Sequence, residues 1–343
     1  MRISWKKYTL QFKQPSGTSR GVLRTKDSWF LIYYDPQFED PILGECSIIE
    51  GLSPDPLDRL ETKLDEVCRL DIFDNEIELD EFPAILFARE MIRMEFGRRL
   101  ENKPTDFYLG KKGLRINGLI WMGEVDFMKA QIREKVKSGF ECIKLKIGAI
   151  DFESELALLS WIRKEYKASE LELRVDANGA FAPAVALEKL KRLSDFNLHS
   201  IEQPIAAKQW DEMAKLCAAS PIDIALDEEL IGLNPKQRRK MMDEIKPQYV
   251  ILKPSFLGGT MEASAIIGMA EAQQIGWWLT SALESNVGLS YLAQYAAMKN
   301  VSMPQGLGTG GLYTNNVDSP IYLQGQFMHM HPAHNWNLKP LLS

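Results

Sequence analysis

Hydrophobic and polar positions follow two rhythms along the chain. Over residues 1–110, segments such as Tyr8-Thr9-Leu10-Gln11-Phe12 and Trp29 to Tyr34 are rich in aromatic and β-branched side chains and predict strands. Between them, Pro15-Ser16-Gly17-Thr18-Ser19-Arg20-Gly21 is small and polar, with two glycines, and predicts a mobile loop. A second loop is expected from Gly44-Glu45-Cys46-Ser47 to Pro54-Asp55-Pro56. One helix should start after Pro56. Another should run from Pro83 to Leu100, with Ile85, Leu86, Ala88, Met91, Ile92 and Phe96 as its apolar stripe. Strands followed by helices suggest an α+β domain.

From Leu114 the rhythm changes to short apolar runs alternating with amphipathic helical patterns. Strands are expected at 116–121, 142–147, 171–176, 198–202, 222–227, 249–253 and 277–280, with a weaker eighth near 301–306. Between them, sets such as Val125, Met128, Ile132 and Val136 recur at helical spacing. Eight βα units in succession predict an α/β fold, a (β/α)8-type barrel over residues 111–315, although an open doubly wound sheet produces a similar string. The α+β part, residues 1–110, would cap it. Residues 316–343 are turn-rich and are expected to return over that cap.

The length fits this division, since 343 residues accommodate a barrel of ~250 and a smaller domain. A net charge of -6 argues against nucleic acid or an anionic membrane surface as the main partner. No run approaches the ~20 apolar residues that span a bilayer. The start, Met1 to Lys7, has no apolar signal core. Cys46, Cys68, Cys142 and Cys217 lack paired spacing, which suits reduced thiols in a cytoplasmic protein and speaks against a thiolate zinc site. Oligomeric state is left open.

Ionisable residues fall at the ends of consecutive predicted strands. Lys144 and Lys146 lie on the second strand, Asp176 closes the third, Glu202 the fourth, Asp227 the fifth and Lys253 the sixth. The steps are regular: 202−176 is 26, 227−202 is 25 and 253−227 is 26. That is about one βα unit, so in a barrel all six converge on the C-terminal face, where such enzymes keep their active sites. Three carboxylates from neighbouring strands make a hard oxygen site suited to Mg2+ or Mn2+ with positions open to water and a small-molecule carboxylate substrate. Lys144 and Lys146 point the same way, and a lysine beside a like charge and a metal can act as a base near neutral pH. Taken singly, each motif has a structural reading. Ile143 to Ile147 could be a half-exposed strand, Asp176-Ala177-Asn178-Gly179 a turn, and Asp227-Glu228-Glu229 an acidic helix start. Their joint occurrence, in order and in phase with the strands, favours chemistry.

These residues resemble the enolase superfamily, in its muconate-lactonising-enzyme-like branch, and there the o-succinylbenzoate synthases. The resemblance rests on Lys144-Leu145-Lys146, Asp176-Ala177-Asn178-Gly179, Glu202-Gln203-Pro204, Leu226-Asp227-Glu228 and Leu252-Lys253-Pro254, and on Gly44-Glu45-Cys46-Ser47 in the cap. Arg174, two residues before Asp176, should face the interior and resembles an arginine placed near the substrate in those synthases. Ser281-Ala282-Leu283-Glu284-Ser285 is similar to their Ser-x-x-Glu-Ser segment, which marks Ser281, Glu284 and Ser285 as substrate-binding candidates. A serine-rich helix start also offers hydroxyls and free N–H groups to an anion, or serves simply as an N-cap.

The resemblance implies a metal-dependent syn-dehydration of 2-succinyl-6-hydroxy-2,4-cyclohexadiene-1-carboxylate in menaquinone biosynthesis. Lys146 would be the base, Lys253 a stabilising cation, Lys144 a tuning charge, and Asp176, Glu202 and Asp227 the metal ligands. Ser16, Gly17, Thr18, Ser19 and Arg20, with residues 45–49, would close over the succinyl arm. The same residues also allow an N-succinylamino-acid racemase or a dipeptide epimerase, and a catalytically inactive barrel that only binds is the alternative of another class. No Asp-x-Asp follows at residues 302–311, as dipeptide epimerases carry, and none of the four histidines (His199, His329, His331, His334) falls just after the seventh strand, where mandelate-racemase-like members place a histidine base. Gly306-x-Gly308-x-x-Gly311 fits a dinucleotide fingerprint in form, but no βαβ unit follows it.

Overall fold

The computed structural model describes residues 1–18, 21–74, 76–101 and 104–342. The chain opens with an antiparallel sheet in which β1 (Arg2–Thr18) pairs with β2 (Gly21–Tyr34), and β2 pairs with β3 (Ile42–Ser47). Two predicted loops are corrected here. The segment expected to be a mobile loop is largely strand, since Ser16 pairs with Leu23 and Thr18 with Gly21. The register shifts between Gln11 and Ser16, and Pro15 falls in that irregular stretch, where a missing N–H disturbs no regular ladder. Ser19 and Arg20 lie outside the described residues.

Gly44-Glu45-Cys46-Ser47 is also strand rather than loop. Its alternation is functional on both faces: Ile42 and Cys46 enter the cap core, while Glu45 and Ser47 are buried toward the barrel. Gly44 is required by close approach, because a Cβ there would lie 2.0 Å from the Ala88 carbonyl oxygen. Ala88 belongs to α2 (Pro83–Glu101), which follows α1 (Leu57–Arg69). One face of α2, with Ile85, Ala88 and Ile92, joins the cap core, while Phe87 and Met91 join the core of the barrel. A helix buried on two faces ties the two parts together.

After the short strand β4 (Leu114–Arg115) come seven parallel strands: β5 (Gly118–Ile120), β6 (Cys142–Lys146), β7 (Glu172–Asp176), β8 (Ser200–Glu202), β9 (Ile224–Leu226), β10 (Tyr249–Leu252) and β11 (Gly276–Leu279). They pair in chain order. The intervening helices are α3 (Val125–Lys137), α4 (Phe152–Glu165), α5 (Pro183–Ser194), α6 (Trp210–Ala219), α7 (Pro235–Ile245), α8 (Pro254–Leu257), α9 (Thr260–Ala272) and α10 (Asn286–Met298). Local chemistry sets several starts: Asp151 caps α4, Asn234 and Gln237 form a capping box on α7, and a proline opens α5 and α8.

The weak eighth strand shrinks to two bridged residues that close the barrel. Gln305 bonds to Arg115 and Asn117 on one side, and Gly306 to Leu279 and Ser281 on the other. The fold is thus the expected α/β barrel with an antiparallel cap. Inside it, Ala225, Ile251 and Trp278 cluster as a floor beneath the mouth. The C-terminal part is less turn-rich than its composition suggests. A hairpin of β12 (Ile321–Gln324) and β13 (Phe327–Met330) adds to β4, and Lys6 Nζ of the cap donates to the Pro340 carbonyl at 3.2 Å. Among the described residues, no helix is long and apolar enough to cross a membrane.

Candidate active site

Parallel pairing sets the site. Lys146 pairs with Asp176, and Asp176 with Glu202, so the ends of β6, β7 and β8 are level. Asp227 and Lys253 immediately follow β9 and β10. In a closed barrel β6 and β10 stand on opposite sides, four strands apart, and therefore so do Lys146 and Lys253.

The six charged groups predicted from the sequence meet at this mouth. Lys144 Nζ lies 2.7 Å from Glu202 Oε2 and 3.3 Å from Asp176 Oδ2. Lys146 Nζ lies 2.9 Å from Asp176 Oδ2 and 2.6 Å from Asn178 Oδ1. Lys253 is ion-paired with Asp227. Asp176, Glu202 and Asp227 are all at least 98% buried. Burial alone would raise the carboxyl pKa of Asp176, but Lys146 and Lys144 outweigh it and hold that group well below the usual carboxylate range. Glu202 goes the other way. Burial, with the nearby Asp176, pushes it up to about 7. Burial also raises Asp227, against the pull of Lys253. Burial opposes the charge on Lys144 and Lys253, yet Glu202 and Asp176 hold Lys144 upward, as Asp227 and Glu202 hold Lys253. Both remain cations.

Among the described residues, no three acidic, histidine or cysteine side chains stand close enough to hold a metal ion as they are. The reason is visible in the ion pairs, because each carboxylate leans on a lysine. The donor chemistry nonetheless fits a hard divalent cation: three buried carboxylates follow one another around the mouth, and Glu202 Oε1 is buried without a hydrogen-bond partner.

A cavity of about 250 Å3 opens over Lys144, Lys146, Asp176 and Lys253, with Glu202 and Asp227 behind its lining. Lys144, Lys146, Asp176, Asn178, Glu228 and Lys253 line its charged side, while Leu23, Ile49, Leu52, Leu119, Trp121 and Leu283 form an apolar wall. The cap supplies Val22, Leu23, Ile49, Glu50 and Leu52. Two of its lining residues, Asn178 and Leu283, are held at positive φ, 44° and 59°.

The substrate-binding expectations are partly corrected. Ser281 lines the cavity, its hydroxyl 2.6 Å from that of Thr309. Arg174 does face the interior, but one layer below the cavity. Its guanidinium is spent on Glu172 at 2.8 Å, the Pro304 carbonyl at 3.0 Å and the face of Trp278. Glu284 and Ser285 are fully buried behind the wall: Glu284 bonds Ser255 and Ala282, and Ser285 bonds Glu45 and caps α10. Glu45, expected in a closing loop, is likewise buried. Sequence reasoning missed Asn178, two residues beyond Asp176, which joins Lys146 to Glu228. It also missed Leu119 and Trp121 at the end of the first barrel strand. Their place at a predicted strand end, in phase with the charged ends of the next five strands, is the signal that points to them.

Comparison with known proteins agrees with this geometry. Residues 127–330 match the family model "Enolase C-terminal domain-like". The chain is 47% identical to an o-succinylbenzoate synthase of Desulfotalea psychrophila over 95% of its own length and 98% of that protein. It superposes on the crystal structure of MenC from that organism with a TM-score of 0.84, covering 96% of this chain and 99% of the other. An N-succinylamino acid racemase of Thermus thermophilus is more distant, 31% identical over 53% of this chain and 47% of its own. A dipeptide epimerase of Cytophaga hutchinsonii, solved with Mg and D-Ala-L-Val, shares the fold at TM-score 0.83 and 22% identity, covering 96% of this chain and 94% of that one. Strand order, acid triad, paired lysines and near full-length similarity coincide: the chain belongs to the o-succinylbenzoate synthase family of the enolase superfamily.

Proposed function

We propose that the chain dehydrates 2-succinyl-6-hydroxy-2,4-cyclohexadiene-1-carboxylate to o-succinylbenzoate, using Lys146 as its base. The observation that carries this reading is the placement of Lys146 and Lys253 on opposite sides of a buried acid triad, under an apolar wall. Asp176, Glu202 and Asp227 would hold Mg2+ or Mn2+, which when bound supplies positive charge to stabilise the enediolate of the substrate carboxylate. Lys146 takes the proton from the carbon bearing that carboxylate, and the C–H electrons pass into the carboxylate. The protonated Lys146 then gives its proton to the departing hydroxyl on the same face. The C–O bond breaks, water leaves, and the new double bond completes the aromatic ring.

Lys253 remains a cation and stabilises the anionic ring from the other side. Lys144 holds Glu202 and Asp176 and adds fixed positive charge beneath Lys146. The wall from Leu23 to Leu283 fits a ring and methylene groups and keeps water from the carbanion. The four cysteines, all unbridged, support a cytoplasmic location. The test is o-succinylbenzoate formation by the purified protein with Mg2+, lost on chelation.

The placement of Lys253 also favours a second reading, racemisation of an N-succinylamino acid with one lysine on each face. Lys253→Arg and Lys253→Ala separate the two. In a dehydration Lys253→Arg should retain several-fold more activity than Lys253→Ala, since arginine keeps the charge. In a racemisation both should be inactive, because arginine cannot serve as a base. Fast racemisation by the parent with negligible o-succinylbenzoate would overturn the dehydration.

A further inference from the structure

Behind the cavity wall a chain of buried polar groups runs from the cap to Lys253. Lys253 leads directly into Pro254 and Ser255 at the start of α8. The buried Ser255 hydroxyl donates to Glu284 Oε1 at 2.7 Å, and Glu284 Oε2 accepts from the Ala282 N–H at 2.7 Å. Glu284 therefore joins the turn that carries Lys253 to the loop after β11. That loop contains Leu283 at φ 59°, a conformation that a non-glycine residue keeps only where its surroundings enforce it.

Ser281 and Tyr313 hydrogen-bond Leu283 itself, and Glu45, from the cap, holds the residues that follow it. Glu45 Oε1 accepts from Ser285 N–H at 2.8 Å and from the Ser28 hydroxyl at 2.8 Å. Its Oε2 accepts from the Ser285 hydroxyl at 2.6 Å and from Gly288 N–H at 2.9 Å. Ser47 donates to the Ala282 carbonyl at 3.0 Å, and Lys26 Nζ to Ser28 Oγ at 2.8 Å. Position 288 must be glycine for both acids to fit, because a Cβ would lie 2.7 Å from Glu284 Cγ and 3.0 Å from Glu45 Oε2. Neither glutamate lines the cavity. Burial and the nearby Glu45 lift the Glu284 carboxyl to about 7. Two adjacent buried acids are an expensive way to pack an interface, which points to a geometric task.

We infer that Glu284 is a positioning residue for Lys253, and that Glu45, by fixing the loop that carries Glu284, makes the cap part of that arrangement. The inference rests on the proposed function in one respect, that Lys253 contributes to turnover. Displacing a reacting group by ~1 Å can cost on the order of a hundredfold in rate, so a lost tie at this turn is felt in kcat.

The experiment is a double-mutant cycle. Glu284→Gln and Ser255→Ala are measured for kcat, KM and thermal midpoint, each alone and with Lys253→Ala. Alone, each should lower kcat on the order of tenfold while KM moves less than about threefold. With Lys253→Ala already present, neither should lower kcat by more than about twofold. Glu45→Gln should reproduce the pattern more weakly. Equal kcat losses in both backgrounds would mean a structural role alone and would overturn the inference. Ser255→Ala, a small truncation, carries the test should Glu284→Gln fold poorly. If the parent instead racemises N-succinylamino acids, the dehydration falls but the inference is still decided. Glu284→Gln should then slow α-proton exchange of the enantiomer served by Lys253 and spare the other. Equal slowing of both would overturn it.

Discussion

Two groups of carboxylates in this molecule, all buried except the half-buried Glu90, are held largely by different donors. At the barrel mouth, Asp176, Glu202 and Asp227 lean on lysine ammonium groups, and Glu202 keeps one oxygen without a partner. At the junction of cap and barrel, glutamates face helix starts. Glu45 accepts from N–H groups of Ser285 and Gly288 at α10, and Glu90 from Thr260 and Met261 at α9. Backbone donors are fixed by the fold and cannot be exchanged, and a helix N-terminus favours negative charge. A lysine side chain has rotatable bonds that a backbone N–H lacks, so on the proposed function Asp176 and Asp227 would pass from Lys146 and Lys253 to a cation. The acids of the mouth thus lean mainly on ammonium groups, with one backbone N–H, that of Asn178, on Asp176, whereas those of the junction take helix N–H groups together with serine and threonine hydroxyls.

The strongest way to break this comparison is at the mouth. Lys146→Ala should lower kcat by about a thousandfold or more, over ~4 kcal/mol of barrier, because a positioned base contributes ~10²–10⁴-fold. Metal and substrate binding, followed by calorimetry, should stay near the parent's, since a base acts only in the transition state. A kcat within about tenfold of the parent would move the base elsewhere. Next come the acids themselves. Asp176→Asn, Glu202→Gln and Asp227→Asn should each weaken Mg2+ binding by about a hundredfold or more, ~2.7 kcal/mol, while the metal-free thermal midpoint changes little for the Glu202 and Asp227 variants, at positions where burial already opposes the charge. Retained affinity in any two of them would dissolve the ligand assignment.

The junction should answer in the reverse sense. Glu90→Ala removes the acceptor of two backbone N–H groups and the Thr260 hydroxyl, and should cost about 2 kcal/mol of stability with Mg2+ affinity unchanged. An unaltered denaturation midpoint would show that backbone-held acids are dispensable. The gentlest test uses Asp55, whose Oδ1 accepts from Ala84 N–H at the start of α2 at 3.0 Å and whose Oδ2 is buried without a partner. Burial raises its pKa from 3.8 to about 7. The folded state therefore holds an extra proton between those values, and stability from this group falls as pH rises through that window. The slope of one group is at most ~1.4 kcal/mol per pH unit. Asp55→Asn should flatten the decline in stability between pH 4 and 7, and an identical slope in both proteins would place the titration on another group.

Much of the barrel was legible because its signals are periodic. Apolar runs one βα unit apart located seven strands, and acids and lysines at their ends located the charged side of the site. Legibility failed where local composition and tertiary role part. Gly44-Glu45-Cys46-Ser47 looks like a loop because it has a glycine and polar residues, yet both of its faces are buried, and a strand between two layers need not alternate apolar with polar. The C-terminal hairpin was hidden by short strands whose partner, Leu114-Arg115, lies about two hundred residues away in sequence.

Arg174, Glu284 and Ser285 show the boundary most sharply. Periodicity along the chain places them at or near strand ends, with polar groups able to contact a substrate. Whether those groups point at the cavity is set by packing between distant segments. Arg174 is one pleat too deep and is consumed by Glu172, Pro304 and Trp278. Glu284 and Ser285 lie just past the wall, held by Ser255 and Glu45 from distant segments. For the mouth, order along the chain suffices, because parallel strands one unit apart bring their ends level. For a residue one layer away, partnership depends on contacts among segments far apart in sequence, and no local pattern records those.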